Sequence, residues 1–353
     1  MYLNSINHFR AIAIIIIVLG HCFWLIHFNH HSVFANTIYN LIIGGTSFFV
    51  FISGFLFHHV IYKRYDFKTF FVKQSKHVLI PYLIISSIPI LELLIGMYKT
   101  GVFSSQSFSG IVEQLENFHI IRHYLSRVGV NYIGYWYIPF IVIIFAMSPI
   151  FIRFIKLNFN TQLIITLSLL FLSFFVHKAP LRNDFSVFQN VLYFMPIYLL
   201  GILCSEKKEI MYSKLNGKEF YFLFLAIALA LFQASMGKFG NYHKAAFTFG
   251  GIDIMLIQKT LLCFFLFIWL NRFENRKFEA LEIISTNTLG IFFIHPILLW
   301  YCVSFKKELQ LPLHANSIIP FCFLFLGILL LSLSIVLLIK KIFPKHSKYL
   351  IGC

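Results

Sequence analysis

Ten stretches of largely apolar sequence run along the chain between short polar clusters, each close to the length a helix needs to cross a bilayer. They fall at 10–28, 43–62, 78–97, 132–152, 161–177, 187–204, 219–236, 252–270, 284–303 and 315–339. About 20 helical residues span the hydrocarbon layer, so the pattern predicts an all-α integral membrane protein of about ten transmembrane helices. The stretches 78–97 and 187–204 carry Pro81, Pro89 and Pro196, which membrane helices tolerate where neighbouring groups satisfy the freed carbonyls. The run Ala11–Phe28 lacks a small-residue cleavage pattern and is long enough to span, which predicts a retained first helix. With no convincing internal repeat and no low-complexity tail, residues 1–353 read as one polytopic membrane domain.

Composition agrees with the pattern and removes the alternatives. Of the 353 residues, 59% are hydrophobic and 12% charged, against about 25% charged in an ordinary soluble domain. Disorder is excluded by the 19% of aromatic residues. The formal net charge of +16 would suit a nucleic-acid partner, but its distribution argues otherwise. With ten spans, nineteen of the 29 Lys and Arg residues fall on the side shared by the two termini, nine on the other, and Lys259 within the eighth span. Cytoplasmic loops carry the excess of Lys and Arg, so both termini are expected in the cytoplasm, and the basic charge reports topology and not nucleic-acid binding.

Some polar features lie outside this scheme. Residues 98–131 form the longest non-spanning stretch, on the non-cytoplasmic side. Glu113, Glu116, His119, Arg122, His123 and Arg127 stand there at largely helical spacings. An external loop of this length is expected to shape a site or a lid. The six cysteines include no Cys-x-x-Cys pair, and His27, His30, His31, His58, His59, His119 and His123 match no metal-ligand pattern, so no metal is expected.

The chemistry concentrates in the first span. Arg10 and His21 are eleven residues apart, about three helical turns plus 20°, which places them on one face and about 16 Å apart along the axis. An ionisable residue deep in a spanning helix is a functional candidate because burying it is costly. Arg10 by itself reads first as a cytoplasmic-side anchor. A base needs an orienting partner. The embedded carboxylates available are Glu92, toward the outer end of the third span, and Asp253, at the outer edge of the eighth.

In RAIAIIIIVLGH, the Arg10-to-His21 pattern resembles the first-helix signature of the acyltransferase-3 family of membrane O-acyltransferases. Phe48-Phe49-Val50-Phe51-Ile52-Ser53-Gly54-Phe55-Leu56 is similar to that family's second-helix Phe-Phe-x-x-Ser-Gly-Phe-Leu. KQSKHVLIPY, residues 73–82, resembles the basic stretch that ends in the third-helix proline. Trp136-Tyr137-Ile138 and Ile294-His295-Pro296 resemble a fourth-helix Trp-aromatic-aliphatic pattern and the His-Pro of a late helix. One departure concerns the basic stretch, where relatives place paired arginines. This chain offers Lys73 and Lys76, or Gln74 and His77 if the register slips by one, and lysine lacks the bidentate fork of arginine.

The resemblance implies transfer of an acyl group, most often acetyl, from cytoplasmic acyl-CoA to a hydroxyl of a cell-surface polysaccharide or its lipid-linked precursor. On that reading Arg10, with Lys73 and Lys76, holds the donor's phosphates. His21 works at the thioester, as general base or as transient acyl carrier. Glu92 and Asp253 are candidate partners of that base. Ser53 is expected to serve close helix packing, and Trp136 and His295 to line the cavity or serve structure. Acetyl-CoA would be the donor, a glycan or glycolipid the acceptor, and the cytoplasmic membrane of a bacterium the location. The rival reading is a transporter or exporter of a glycan or acyl group, with His and Arg along a permeation path.

Overall fold

The computed structural model describes residues 3–26, 32–99, 134–180, 186–308 and 318–353, without the side chains of 24–26, 89–99, 304–308 and 318–319. Helices make up about four fifths of it. In chain order they are α1 (Asn4–Ile26), α2 (Val33–Ile42), α3 (Thr46–Leu56), α4 (Phe67–Lys99), α5 (Tyr137–Ala146), α6 (Ser148–Ile155), α7 (Phe159–Val176) and α8 (Ser186–Glu206). They continue as α9 (Lys208–Leu215), α10 (Glu219–Ser235), α11 (Ile254–Asn271), α12 (Glu279–Thr286), α13 (Thr288–Glu308), α14 (Ile318–Ile342) and α15 (Ser347–Leu350). Among the described residues the only β pairing is an isolated bridge between Lys178 and His243.

Each of the ten apolar stretches coincides with helix. Six helices among the described residues are long and apolar enough to cross a membrane, and nine spans result if each of three bent pairs counts as one. Those pairs, α5–α6, α9–α10 and α12–α13, bend by 54°, 83° and 75°. The stretch 78–97 lies within α4, an unbroken helix of 33 residues. Nearly all of the expected external loop 98–131 lies outside the described residues.

One difference concerns residues 28–42, expected as an external loop. Part of that stretch is α2, which leads into α3 through a break at 43–45. Its Asn36, Thr37 and Asn40 interrupt the apolar run, which is why hydropathy alone reads it as a loop. All three are buried in the fold, where α2 packs on α10.

α1 sits at the centre, in contact with α3, α11, α13 and α14. Its first turn has no acidic residue of its own. Glu274, in the turn after α11, supplies one: its carboxylate accepts from the N–H groups of Asn4 and Ser5, each at 2.9 Å, and its carbonyl from Asn4 Nδ2 at 2.7 Å. A carboxylate at an otherwise unsatisfied helix N-terminus fixes where the helix begins. That cap therefore sets the depth of Arg10 and His21. Across the core, α3 and α8 approach so closely that a Cβ on Gly54 would strike the Tyr198 carbonyl oxygen, and one on Gly201 the carbonyl of Phe51. Small residues permit such contact between membrane helices, and Gly54, not Ser53, supplies it here.

Candidate active site

Arg10 and His21 both line one cavity of ≈ 370 Å³. Three turns of α1 separate them, so the cavity runs for much of that length along the helix. Its wall also includes Gln74 and Val78 of α4 and Thr288 and Leu289 of α13. Ser53 of α3 and Tyr137 of α5 line it as well. Ser53 thus faces the cavity, while its neighbour Gly54 makes the helix contact. At the His21 end the wall continues through Gly134 and Trp136 to Lys178 and Asn241, which follow α7 and α10 in the two segments joined by the Lys178–His243 bridge.

The base has a partner that is not a carboxylate. Nδ1 of His21 lies 2.9 Å from Nε2 of His295, and Nδ1 of His295 lies 2.7 Å from the carbonyl oxygen of Ile291. A carbonyl can only accept, so neutral His295 carries its proton on Nδ1 and presents a lone pair at Nε2. His21 must then donate from Nδ1, which leaves its Nε2 lone pair unprotonated. His295 is fully buried and does not line the cavity; it stands behind His21 and fixes its tautomer. The Tyr135 hydroxyl donates to the Phe293 carbonyl at 2.6 Å, tying the loop over His21 to the same stretch of α13.

The other expected site residues separate. Lys73 and Lys76 are exposed on α4, and Gln74 is the residue of that stretch that reaches the cavity wall. Asp253 is buried but serves as the N-cap of α11, accepting from Leu256 N–H at 3.1 Å and from the Tyr193 hydroxyl at 2.8 Å. It does not line the cavity. The side chain of Glu92 lies outside what the structure describes. Trp136 lines the cavity, stacked on Phe194 with the Lys178 ammonium 4.6 Å from its ring centre. Among the described residues no three His, Cys, Asp or Glu side chains converge as a metal ion would require.

Lys178 is the site residue that sequence reasoning passed over, counting it only as an external charge. It is 8% exposed, and burial pulls its ammonium pKa down to about 8 although Asp253 opposes the shift. Its segment is held by Lys244 N–H, which donates to the Lys178 carbonyl at 3.1 Å, and by Nδ1 of His243, which donates to the Ala179 carbonyl at 2.8 Å. No spacing rule along the chain marks this position; the signal is tertiary.

The model of one family, described as an acyltransferase domain, matches residues 3–337. The curated relatives include probable poly-beta-1,6-N-acetyl-D-glucosamine export proteins of Staphylococcus aureus. Those of strains MSSA476 and MW2 are 23% identical over 321 residues, covering 83% of this chain and 81% of theirs. That of strain MRSA252 is 22% identical over the same share of each chain. No solved structure matches.

Proposed function

This chain belongs to the acyltransferase-3 family, and from that membership we propose that it is a multi-pass O-acyltransferase moving an acyl group, most simply acetyl, from cytoplasmic acyl-CoA to a hydroxyl of a cell-surface glycan or its lipid-linked precursor. The observation that carries the reading is the single cavity whose wall holds Arg10 at one end and His21, with an unprotonated Nε2, about three turns away. A CoA thioester has an anionic nucleotide head and a long uncharged pantetheine arm. A cation at the rim and a base deeper along an apolar wall match its two ends. With ten spans and both termini in the cytoplasm of a bacterium, Arg10 lies at the cytoplasmic rim and Lys178 toward the outer face.

On this reading the acceptor reaches His21 from the end lined by Lys178, Asn241 and Trp136. Nε2 of His21 removes the proton of the acceptor hydroxyl, and the resulting oxygen attacks the thioester carbonyl. The imidazolium so formed keeps its Nδ1–H on His295 and returns a proton to the departing CoA sulfur. Transfer is direct, with His21 as base and not as acyl carrier. Purified protein given acetyl-CoA and a glycan acceptor should release CoA. His21→Ala should abolish release, and Arg10→Ala should raise the KM for the donor. Radiolabelled acetyl-CoA without acceptor should leave no acyl group on the protein.

The relatives' printed name favours a second reading, export of a glycan, with the same cavity as part of the path. Export would need no thioester. Glycan movement that persists in folded His21→Ala, with no CoA release by the wild type, would establish export and overturn the acyltransferase reading.

A further inference from the structure

The span built from α2 and α3 is broken at 43–45, and its two cut ends are treated differently. The carbonyls that close α2 are bound: Nζ of Lys259, buried on α11, donates to the carbonyl oxygens of Asn40 and Leu41, each at 2.8 Å. The start of α3 has no such arrangement. Gly45 stands at its N-cap and no side chain caps it, and among the described residues no hydrogen bond uses the N–H of Gly44, Gly45 or Thr46. Unpaired backbone donors are costly within a membrane, so donors left open against a cavity await an acceptor. All three residues line the cavity. Gly45 packs on Ile16 and Ile17, and the side chains of Ile42 and Ile43 on Gly20, which sets the break about one turn of α1 from His21 along the same cavity.

Charge supplies a separate observation. Among the described residues, the cavity wall carries Arg10 and Lys178 and no carboxylate. Lys178 is 8% exposed, and among the described residues its ammonium has no hydrogen-bonding partner, only the Trp136 ring. An uncapped helix N-terminus and a buried cation in a wall without negative charge both stabilise an anionic oxygen. Gly44 adds the local reason for the sequence: its φ of +87° is open to glycine, and a Cβ there would also press on the Lys259 side chain at 3.0 Å.

We propose that the break between α2 and α3 is an oxyanion hole, in which the N–H groups of Gly44, Gly45 and Thr46 receive the thioester carbonyl oxygen as it becomes negative. The inference rests on the acyltransferase reading above. As the acceptor oxygen bonds to the carbonyl carbon, the C=O π pair moves onto oxygen, and α3 holds that charge. Collapse re-forms the C=O bond and breaks the C–S bond. The sulfur takes the electron pair and then the proton held by His21.

Thr46→Pro tests this, because Thr46 is the first residue of α3 and proline there removes an N–H that no helical bond uses; its ring also presses on Gly45, which is in the αR region, so folding is checked first. Thr46→Ala, which keeps the N–H, is the control. Loss of one oxyanion donor lowers kcat by about 100-fold or more. Thr46→Pro should show that loss relative to Thr46→Ala while binding a non-cleavable thioether analogue of acetyl-CoA as wild type does. If Thr46→Pro fails to fold, an amide-to-ester replacement at the same bond removes the same hydrogen without a ring. Equal turnover in the donor-less protein and Thr46→Ala overturns the oxyanion hole and leaves the acyltransferase reading standing. Weakened analogue binding with unchanged kcat also overturns it, since the amides would then hold the resting donor. Absence of CoA release by the wild type removes the acyltransferase reading itself.

Discussion

Gly134 lies against the edge of the His21 imidazole, placed so that a Cβ on it would fall 3.1 Å from Cε1. Its φ is +103°, a conformation that side-chain-bearing residues avoid. Both facts make the position intolerant. Gly134→Ala should lower stability by about 1–2 kcal/mol through the backbone. It should also displace the imidazole, with a fall in kcat much larger than any change in donor KM. Comparing kcat with the melting temperature of the folded variant checks this, and wild-type kcat in Gly134→Ala would show that the contact does not position the base.

The pair His21–His295 makes a prediction about chemistry in place of bulk. Removing a group that orients a functional imidazole costs about 10–100-fold in activity where such partners have been tested in metal sites. His295→Leu should fall in that range with donor KM unchanged. His295→Gln should recover much of the loss, because its amide oxygen can accept from His21 Nδ1 while its NH₂ donates to the Ile291 carbonyl. Equal damage from both substitutions would assign His295 to packing alone.

How much of this was readable beforehand follows from the range of each interaction. The spans were legible because hydropathy is local, and the shared face of Arg10 and His21 follows from helical period alone. α2 was not legible: Asn36, Thr37 and Asn40 depress its hydropathy, and Asn40 is satisfied by Ala230, Lys238 and Gly240 some 200 residues away. A carboxylate is the usual orienter of an imidazole, which made Glu92 and Asp253 the expected partners of His21. The fold supplies a second histidine, 274 residues on, and Asp253 caps a helix. The His-Pro pair was visible in the sequence; that its imidazole reaches α1 was not.

The register of α4 was also open along the chain, since Lys73 and Lys76 or Gln74 and His77 could have faced inward. Gln74 reaches the wall shared with Arg10, and both lysines are exposed. Gln74→Arg should therefore place a second guanidinium beside the donor's phosphates and lower the KM for acyl-CoA several-fold with little effect on kcat, because a phosphate held by charge-assisted bonds is held alike in ground and transition states. Lys73→Ala and Lys76→Ala should each leave the donor KM within about twofold, as expected of exposed charges. Initial-rate measurements over a range of donor concentrations decide it. A larger effect of the lysine variants than of Gln74→Arg would mean that the donor head lies along the outside of α4.

Lys178 gives the pH dependence. Burial lowers its pKa from 10.5 to about 8, so the ammonium that faces the cavity is lost as pH rises through that value. Activity should decline across pH 8, and Lys178→Arg, charged at any accessible pH, should move that limb upward. Asp253, His177, His243 and His21 surround the same segment. His243 holds its N–H on the Ala179 carbonyl and is itself pushed down to about 4, so it stays neutral through the declining limb. The stability effect has the opposite sign. Between pH 8 and 10.5 the unfolded chain holds a proton on Lys178 that the folded protein has released, so stability rises with pH across that window. Lys178→Met should lack that rise and be more stable than wild type at pH 7, by up to about 3 kcal/mol. Thermal melts of both proteins from pH 7 to 10.5 test it. A difference that stays constant across the range would mean that the Lys178 ammonium is solvated as well in the fold as in water.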